Sequence, residues 1–482
     1  MPGSLSKACS VVVRPDPTSD AFSLRNEDLQ SLLCNNDVAD LPVVVLSVAG
    51  GFRKGKSFFL GFCIRFLEHL ERRNSTSNWM GRDDVPLEGF SWRYGCERET
   101  TGILLWGKVF KVKTPNYGTF KVKTPNYGTV AVVLMDTEGS FDNRSTIEGN
   151  VTVFSMSMLL SSVQVYNVFS RISQSDLRYL KLFVEYAMMA KEESTHRQEA
   201  FQRLLFLVRD WQYPAEKPFG LRGGSQLLQS FLKFDQTLSA EVSELRKNIK
   251  KSFDKLECYL MPRPGDRVEE ADFNGRLCDI SLPFREHLQE IVPCLLSPEN
   301  LLPKKLNGRL VQCKQLVVMF QAYFSAFNSG KLPQPMDVSD AITFVNNKLL
   351  MDDILRKYES EMGQAIPLAS DDERQIQAKH ETLKKECVAL LRNAGVMGKK
   401  LDKLELQLKE NIDGRYRMSK QSRETVLASK WHFEEQLRKE REEMQLQLQR
   451  TRKEFEEQRG KEREEMQLVL QLTRWTFGEQ QR

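Results

Sequence analysis

Gly50, Gly55, Lys56 and Ser57 fall in the pattern Gly50-x-x-x-x-Gly55-Lys56-Ser57. That spacing suits phosphate. The glycines let the backbone curl until several N–H groups face one anion. Lys56 supplies a point charge for β- and γ-phosphates, and the Ser57 hydroxyl is a ligand type for Mg²⁺. Gly50, Lys54, Gly55, Lys56, Ser57 and Phe58 are therefore candidate nucleotide-binding residues. Arg53 sits inside the same loop. Its guanidinium fork is placed to stabilise charge spread over γ-phosphoryl oxygens, or else it is a surface residue paired with an acid.

Three further groups have the right chemistry. Thr101-Gly102 follows a polar stretch and precedes an apolar run, as in a first switch loop whose threonine completes a Mg²⁺ shell. Asp136-Thr137-Glu138-Gly139 closes an apolar strand. There Asp136 can reach Mg²⁺ through water, and the Gly139 N–H can meet a γ-phosphate. Arg209-Asp210 closes another apolar run. A carboxylate at that place accepts from guanine N1 and N2, which adenine cannot offer; the alternative is a surface ion pair.

The elements that must position these residues are legible. Val43–Val48 reads as a buried strand, with a helix from Ser57 to about Glu71. Further strands are expected over Val130–Met135 and Leu204–Val208, and near Cys258–Met261. Leu24–Leu33 reads as a small helix or strand pair. Strand and helix alternate from 43 to about 265, which predicts an α/β domain with a mostly parallel, doubly wound sheet and ligand loops at the strand ends. An α-helical bundle and a long charged C-terminal helix follow. The expected divisions are a lead at 1–40, the nucleotide domain at 41–280, a linker at 281–300, a helical middle domain at 301–420 and a tail at 421–482. Phe110–Thr119 repeats identically as Phe120–Thr129; this suits a lengthened surface hairpin, or is an assembly artefact of the sequence.

Composition narrows the class. The 482 residues carry a net charge of only +5, which gives no case for nucleic acid as partner. Nine scattered cysteines without a CxxC pair, and five isolated histidines, argue against a disulfide framework or zinc site and for a reducing compartment. The longest uncharged run, Gly149–Ser170, holds five serines and reads as a buried helix and loop rather than a membrane span. The chain is expected to be soluble and cytoplasmic, without an integral membrane segment.

Taken together, Val48–Phe58, Gly89-Phe90-Ser91-Trp92, Arg98–Gly102, Leu134–Gly139 and Leu207–Trp211 resemble the atlastins. These are dynamin-superfamily GTPases, related to guanylate-binding proteins, that fuse endoplasmic-reticulum membranes. Leu295–Glu299, Asn307-Gly308 and Leu332-Pro333 resemble the stretch that joins GTPase domain to helical bundle in that family. The resemblance covers roughly residues 20–420. It implies a GTPase domain at 41–280 that hydrolyses GTP to GDP and phosphate with Mg²⁺ as cofactor. Lys56 would hold phosphates, Ser57 and Thr101 would ligate the metal, and Asp136 would bind it through water. Arg209 and Asp210 would read guanine, and Arg53 would be an internal arginine finger positioned by homodimerisation across the nucleotide face. Nucleotide state would move the helical bundle. Two departures stand out: Glu138 occupies a position where atlastins typically carry Gln, and the membrane-spanning hairpin that follows the bundle in atlastins has no counterpart here.

Ser419–Arg482 is instead dense in Glu, Arg, Lys and Gln. Phe433, Met444, Phe455, Met466 and Phe477 recur every eleven residues, with Leu437, Leu448 and Leu470 as a second line broken by Arg459. The period, 3.67 residues per turn, gives a nearly straight stripe with a slight right-handed drift. The tail reads either as a coiled helix that meets itself or a partner, or as a single solvated helix held by Glu–Arg pairs. A third reading is peripheral membrane contact, at the endoplasmic reticulum by the family resemblance, against which low hydrophobicity and mixed charge argue. The competing function is a nucleotide-dependent soluble scaffold that recruits partners through this helix, with weak hydrolysis.

Overall fold

In the computed structural model, residues 9–15, 22–51, 54–92, 102–115, 128–137, 147–173, 176, 180–181, 185, 201–233, 240–328, 335–365, 373–394 and 399–479 are described. The chain divides into two compact units, Met1–Leu350 and Met351–Arg482.

The first unit is built around β3 (Val43–Gly50), whose eight residues are all buried. Successive side chains of a strand point to opposite faces, and here both faces are apolar. Val43, Val45 and Ala49 enter one core layer; Val44, Leu46 and Val48 enter the other. A strand covered on both sides belongs inside a parallel sheet. Its neighbours are β6 (Thr129–Thr137) and β7 (Val163–Phe169), both parallel to it. The sheet continues in parallel through β8 (Phe201–Arg209) to β9 (Phe253–Leu260). On the other side β4 (Ile103–Trp106), β1 (Cys9–Pro15) and β2 (Phe22–Leu24) are added antiparallel, and β5 (Phe110–Lys113) pairs antiparallel with β6. The order is β2-β1-β4-β6-β3-β7-β8-β9. Because β6 and β7 lie on opposite sides of β3, the carboxyl ends of these strands form a topological switch point, the usual ligand crevice of such sheets.

Among the described residues, this unit includes the helices α1 (Asn26–Leu33), α2 (Lys56–Arg73), α3 (Ile147–Leu160), α4 (Gly220–Leu232), α5 (Ala240–Ser252), α6 (Leu282–Leu296) and α7 (Cys313–Phe327). One face of the sheet is covered by α2 and α6, the other by α1, α3 and α7.

Three expectations change. The run Gly149–Ser170 is helix then strand, not helix then loop. Its second half is β7, where Val163, Val165, Tyr166 and Val168 are buried beside Gln164 and Asn167. Buried polar residues in a core strand hid it. The expected linker at 281–300 is mostly α6, whose Phe284, Leu288, Ile291, Val292 and Leu295 are buried in the core. The stretch after it is also part of the first unit. Lys304 N–H donates to the Val43 carbonyl at 2.7 Å, Val43 N–H to Val311 at 2.9 Å, and Cys313 N–H to Leu41 at 3.1 Å. This zips the chain onto the start of β3. A reciprocal cap between Gln312 and Gln315 then starts α7. Of the ten-residue repeat, Phe110–Lys113 forms β5; most of the second copy lies outside the described residues.

The helix α8 (Pro335–Ala365) contributes Val338, Ile342, Val345 and Leu349 to the first unit's core. From Met351 on it belongs to the second unit, with α9 (Glu373–Arg392) and α10 (Lys399–Glu479). Tyr358, Ile376, Leu383, Leu391, Leu408 and Ile412 are buried there. Tyr358 Oη lies 2.9 Å from His380 Nδ1, the His380 ring stacks on Tyr416 at 4.1 Å, and Lys384 donates to Asp413 at 2.6 Å. Burial lowers the His380 pKa, with Glu381 and Asp413 opposing. Thus residues 301–420, expected as one domain, are shared between two cores. The tail is a direct continuation of α10, with no break at 421. Among the described residues no helix is long and apolar enough to cross a membrane.

Candidate nucleotide site

The registers bring the candidate residues to one edge. Val48 pairs with Asp136, Gly50 with Asn167, and Phe169 with Arg209. The ends of β3, β6, β7 and β8 therefore converge beside the start of α2. Two glycines are obligatory there. Gly50 has φ +138°, and a Cβ on it would lie 2.1 Å from the Asn167 carbonyl oxygen; Gly55 has φ +73°, and a Cβ would lie 2.9 Å from Arg209 Nη1. No other residue type fits either place without moving backbone or the buried arginine.

The loop is held from below. Asn167 Nδ2 donates to the Lys54 carbonyl at 2.8 Å, and Arg209 Nη1 donates to the same oxygen at 3.3 Å. The Lys54 ammonium lies 3.8 Å from the centre of the Phe169 ring. Lys56 is buried at the first turn of α2, and its Nζ donates to the Gly51 carbonyl at 3.3 Å. Ser57 Oγ donates to Asp136 Oδ2 at 2.5 Å, and Asp136 Oδ1 accepts the Thr137 N–H at 3.0 Å. Both side chains are buried. A hydroxyl and a carboxylate oxygen in contact, beside a phosphate loop, are the hard oxygen donors that Mg²⁺ takes. No cluster of three or more His, Cys, Asp or Glu suited to a metal occurs among the described residues. A Mg²⁺ ion here would draw its other oxygens from a nucleotide and water. With such an ion in place the site would gain the positive charge that offsets the phosphates.

Farther along the edge, Asp210 adopts φ +55°, in the left-handed region that Asp tolerates. Its Oδ1 is buried without a hydrogen-bond partner. An unpartnered buried acceptor costs about 1–3 kcal/mol, so it marks a place where a donor is missing. The next residue is fixed: Trp211 N–H donates to the Met261 carbonyl at 3.0 Å and its Nε1 to the Lys217 carbonyl at 2.9 Å.

Packing places two of the candidate side chains away from the open edge. The Arg209 guanidinium is turned under the phosphate loop, with its Cζ 5.2 Å from the Phe284 ring centre, so what it is seen to do is support Lys54 and Gly55. Burial lowers its pKa, and adjacent Asp210 opposes that shift. Phe58 likewise places its ring in the core, 5.2 Å from both Phe62 and Trp92, leaving only its backbone N–H for a phosphate. Asn167, which ties the loop to β7, was missed; the one signal for it was a polar residue inside a run otherwise fit for a core strand. Arg53, Thr101, Glu138 and Gly139 lie outside the described residues.

Comparison with known proteins bears on the same segment. The model of the guanylate-binding protein N-terminal domain matches residues 19–305. Human atlastin-2 is 39% identical over 418 residues, covering 84% of this chain and 69% of its own length. Bovine atlastin-1 is 38% identical over 399 residues, covering 82% and 68%. Human atlastin-3 is 41% identical over 338 residues, covering 70% and 60%.

Proposed function

Because the chain belongs to the guanylate-binding protein family of dynamin-superfamily GTPases, atlastins included, we propose that its strand-end crevice binds GTP with Mg²⁺ and hydrolyses it to GDP and phosphate. The observation that carries the reading is Asp210: a buried acceptor without a donor, on the same sheet edge as the phosphate loop. Guanine N1 and N2 supply the missing donors. Lys56 and the loop N–H groups take the phosphates. Ser57 and Thr101 would ligate the metal, Asp136 would hold it through water, and the Gly139 N–H would meet the γ-phosphate. Arg209 keeps the loop in shape for this. Arg53 acts as an arginine finger, aligned when two copies dimerise through their GTPase faces, and hydrolysis is coupled to movement of the helices that follow.

Arg53→Ala tests the catalytic part. Binding of a fluorescent GTP analogue should stay within a few-fold of wild type while single-turnover hydrolysis slows by on the order of 10³-fold, the lower range for a lost arginine finger. Hydrolysis at the wild-type rate would remove Arg53 from the mechanism.

The family role in endoplasmic-reticulum membrane fusion extends to this chain only if it is held at a bilayer. Flotation with liposomes, without nucleotide and with a non-hydrolysable GTP analogue, separates the alternatives. Analogue-dependent flotation supports peripheral membrane work. Protein that never floats favours a cytoplasmic GTPase that recruits partners through its tail.

A further inference from the structure

The apolar stripe along α10 is exposed among the described residues. Phe433, Met444, Phe455 and Met466 are each at least 62% exposed, and Leu437, Leu448 and Leu470 are exposed beside them. The helix that carries them runs without interruption from Lys399 to Glu479. From Phe433 to Thr473 it is about 60 Å long at 1.5 Å per residue. Such a length of apolar surface in water calls for a partner.

The charges beside the stripe say which partner. With eleven residues in three turns, the Phe/Met line defines a direction, and the Leu line lies about 33° to one side of it. Arg441, Arg452 and Arg463 recur with the same period on that side, about 65° from the Phe/Met line. Glu443, Glu454 and Glu465 recur about 100° round on the other side. The seam therefore has an arginine edge and a glutamate edge. All six side chains are exposed. Arg452 is steadied by Glu456 at 3.3 Å along its own helix, which engages only part of its guanidinium.

When two copies of such a helix pair in parallel about a two-fold axis along the seam, each edge meets the opposite edge of the other copy. Arginine then faces glutamate on both sides. In an antiparallel pair each edge meets its like, and arginine faces arginine. Arg459, which interrupts the leucine line, fits the same arrangement. It lies on the arginine side of the seam, and Glu462 lies on the other side three residues on. Only the parallel pairing sets the two against each other between copies. We propose that α10 forms a parallel, in-register coiled coil with the α10 of a second copy of this chain, independent of nucleotide. This contact is separate from any dimer of the GTPase faces. It would hold two GTPase domains at high effective concentration before GTP arrives.

The full-length chain without nucleotide, measured by sedimentation at micromolar concentration, should show twice the 55.7 kDa chain mass. A Met444→Asp/Phe455→Asp variant should return to the single-chain mass. Orientation is read by mild oxidation of Met444→Cys and Met466→Cys separately, against the wild-type background from exposed Cys34 and Cys278. A parallel pair links strongly at both positions, whereas an antiparallel pair has one crossing point and cannot link at both. A triple Arg→Glu variant at 441, 452 and 463 should fail to pair with itself but pair with a triple Glu→Arg variant at 443, 454 and 465. A monomer without nucleotide overturns the proposal, as does a dimer that links at one position only or at neither. Since no nucleotide is present, failure here leaves the reading of the GTP site untouched.

Discussion

The phosphate-loop edge of the first unit and the outer part of α10 depart from ordinary burial in opposite directions. At the loop edge polar groups are buried: Lys56, Ser57, Asp136, Asn167 and Arg209 are all at most 9% exposed, and Asp210 keeps an acceptor without a donor. Along α10 apolar groups are exposed over some forty residues. The unpaired Asp210 acceptor costs free energy unless a donor completes it. The exposed stripe costs free energy unless an apolar face covers it. The two regions are therefore incomplete in complementary ways, one for want of a small polar molecule and the other for want of a protein surface.

The comparison breaks most sharply at Lys56. Lys56→Ala removes a charge-assisted contact worth about 3 kcal/mol, so affinity for a fluorescent GTP analogue should fall on the order of 100-fold. Sedimentation of the same variant without nucleotide should not change. If the tail contact were lost with it, the two regions would not be separate. Asp210→Asn gives a smaller effect with a change of sign. It exchanges one acceptor for a donor, so GTP binding should weaken by tens-fold while xanthosine triphosphate, whose C2 bears a carbonyl, gains. Competition binding with the two nucleotides reads this directly, and equal losses for both would separate Asp210 from the base.

Lys304 sharpens the buried side of the comparison, because it too is a buried polar group, 3% exposed, yet its Nζ has a partner in the Ser161 carbonyl at 2.8 Å. Burial pulls its pKa from 10.5 down to about 7. Between those values the unfolded chain holds the proton and the folded chain does not. Stability therefore rises as pH goes from 7 to 10.5 and is lowest at and below 7. Lys304→Met removes that dependence but leaves the Ser161 carbonyl without this donor. Net stabilisation of about 1–3 kcal/mol is expected at pH 6, fading above pH 10. Thermal melts at the two pH values check it; a gain that did not depend on pH would mean the lysine is not titrating as stated.

The smallest effect is on the exposed side. A Cβ at Gly460 would meet nothing within 4 Å. Gly460→Ala should add about 1 kcal/mol of helix stability, seen as increased helical signal on heating and tighter self-association. A looser dimer would mean that the helix needs to bend there.

Much of the sheet was legible because its strands are short, apolar and bounded by loops. Val43–Gly50, Thr129–Thr137 and Phe201–Arg209 carry that pattern with a chemically marked residue at or beside each end. The phosphate loop, Ser57 and Asp136 were legible for the same reason: local chemistry at fixed spacing. The eleven-residue stripe was too, since helical period is a local property. Other features were not. Which strand lies beside β3 depends on pairing between residues 80 to 120 positions apart, and only that register sets Asn167 against Gly50 and Val48 beside Asp136. That α6 and α7 belong to the first core, rather than to a linker and a separate bundle, follows from the burial of α6 side chains and from backbone bonds between 304–313 and 41–43 that no local pattern announces. That Arg209 turns beneath the loop while Asp210 keeps an open acceptor was also decided by packing, against Gly55 and Phe284. Sequence determines which groups can do chemistry and which faces are apolar, because these are properties of residues and their near neighbours. Where each group points, and whether it is buried, is fixed only when distant segments compete for the same space.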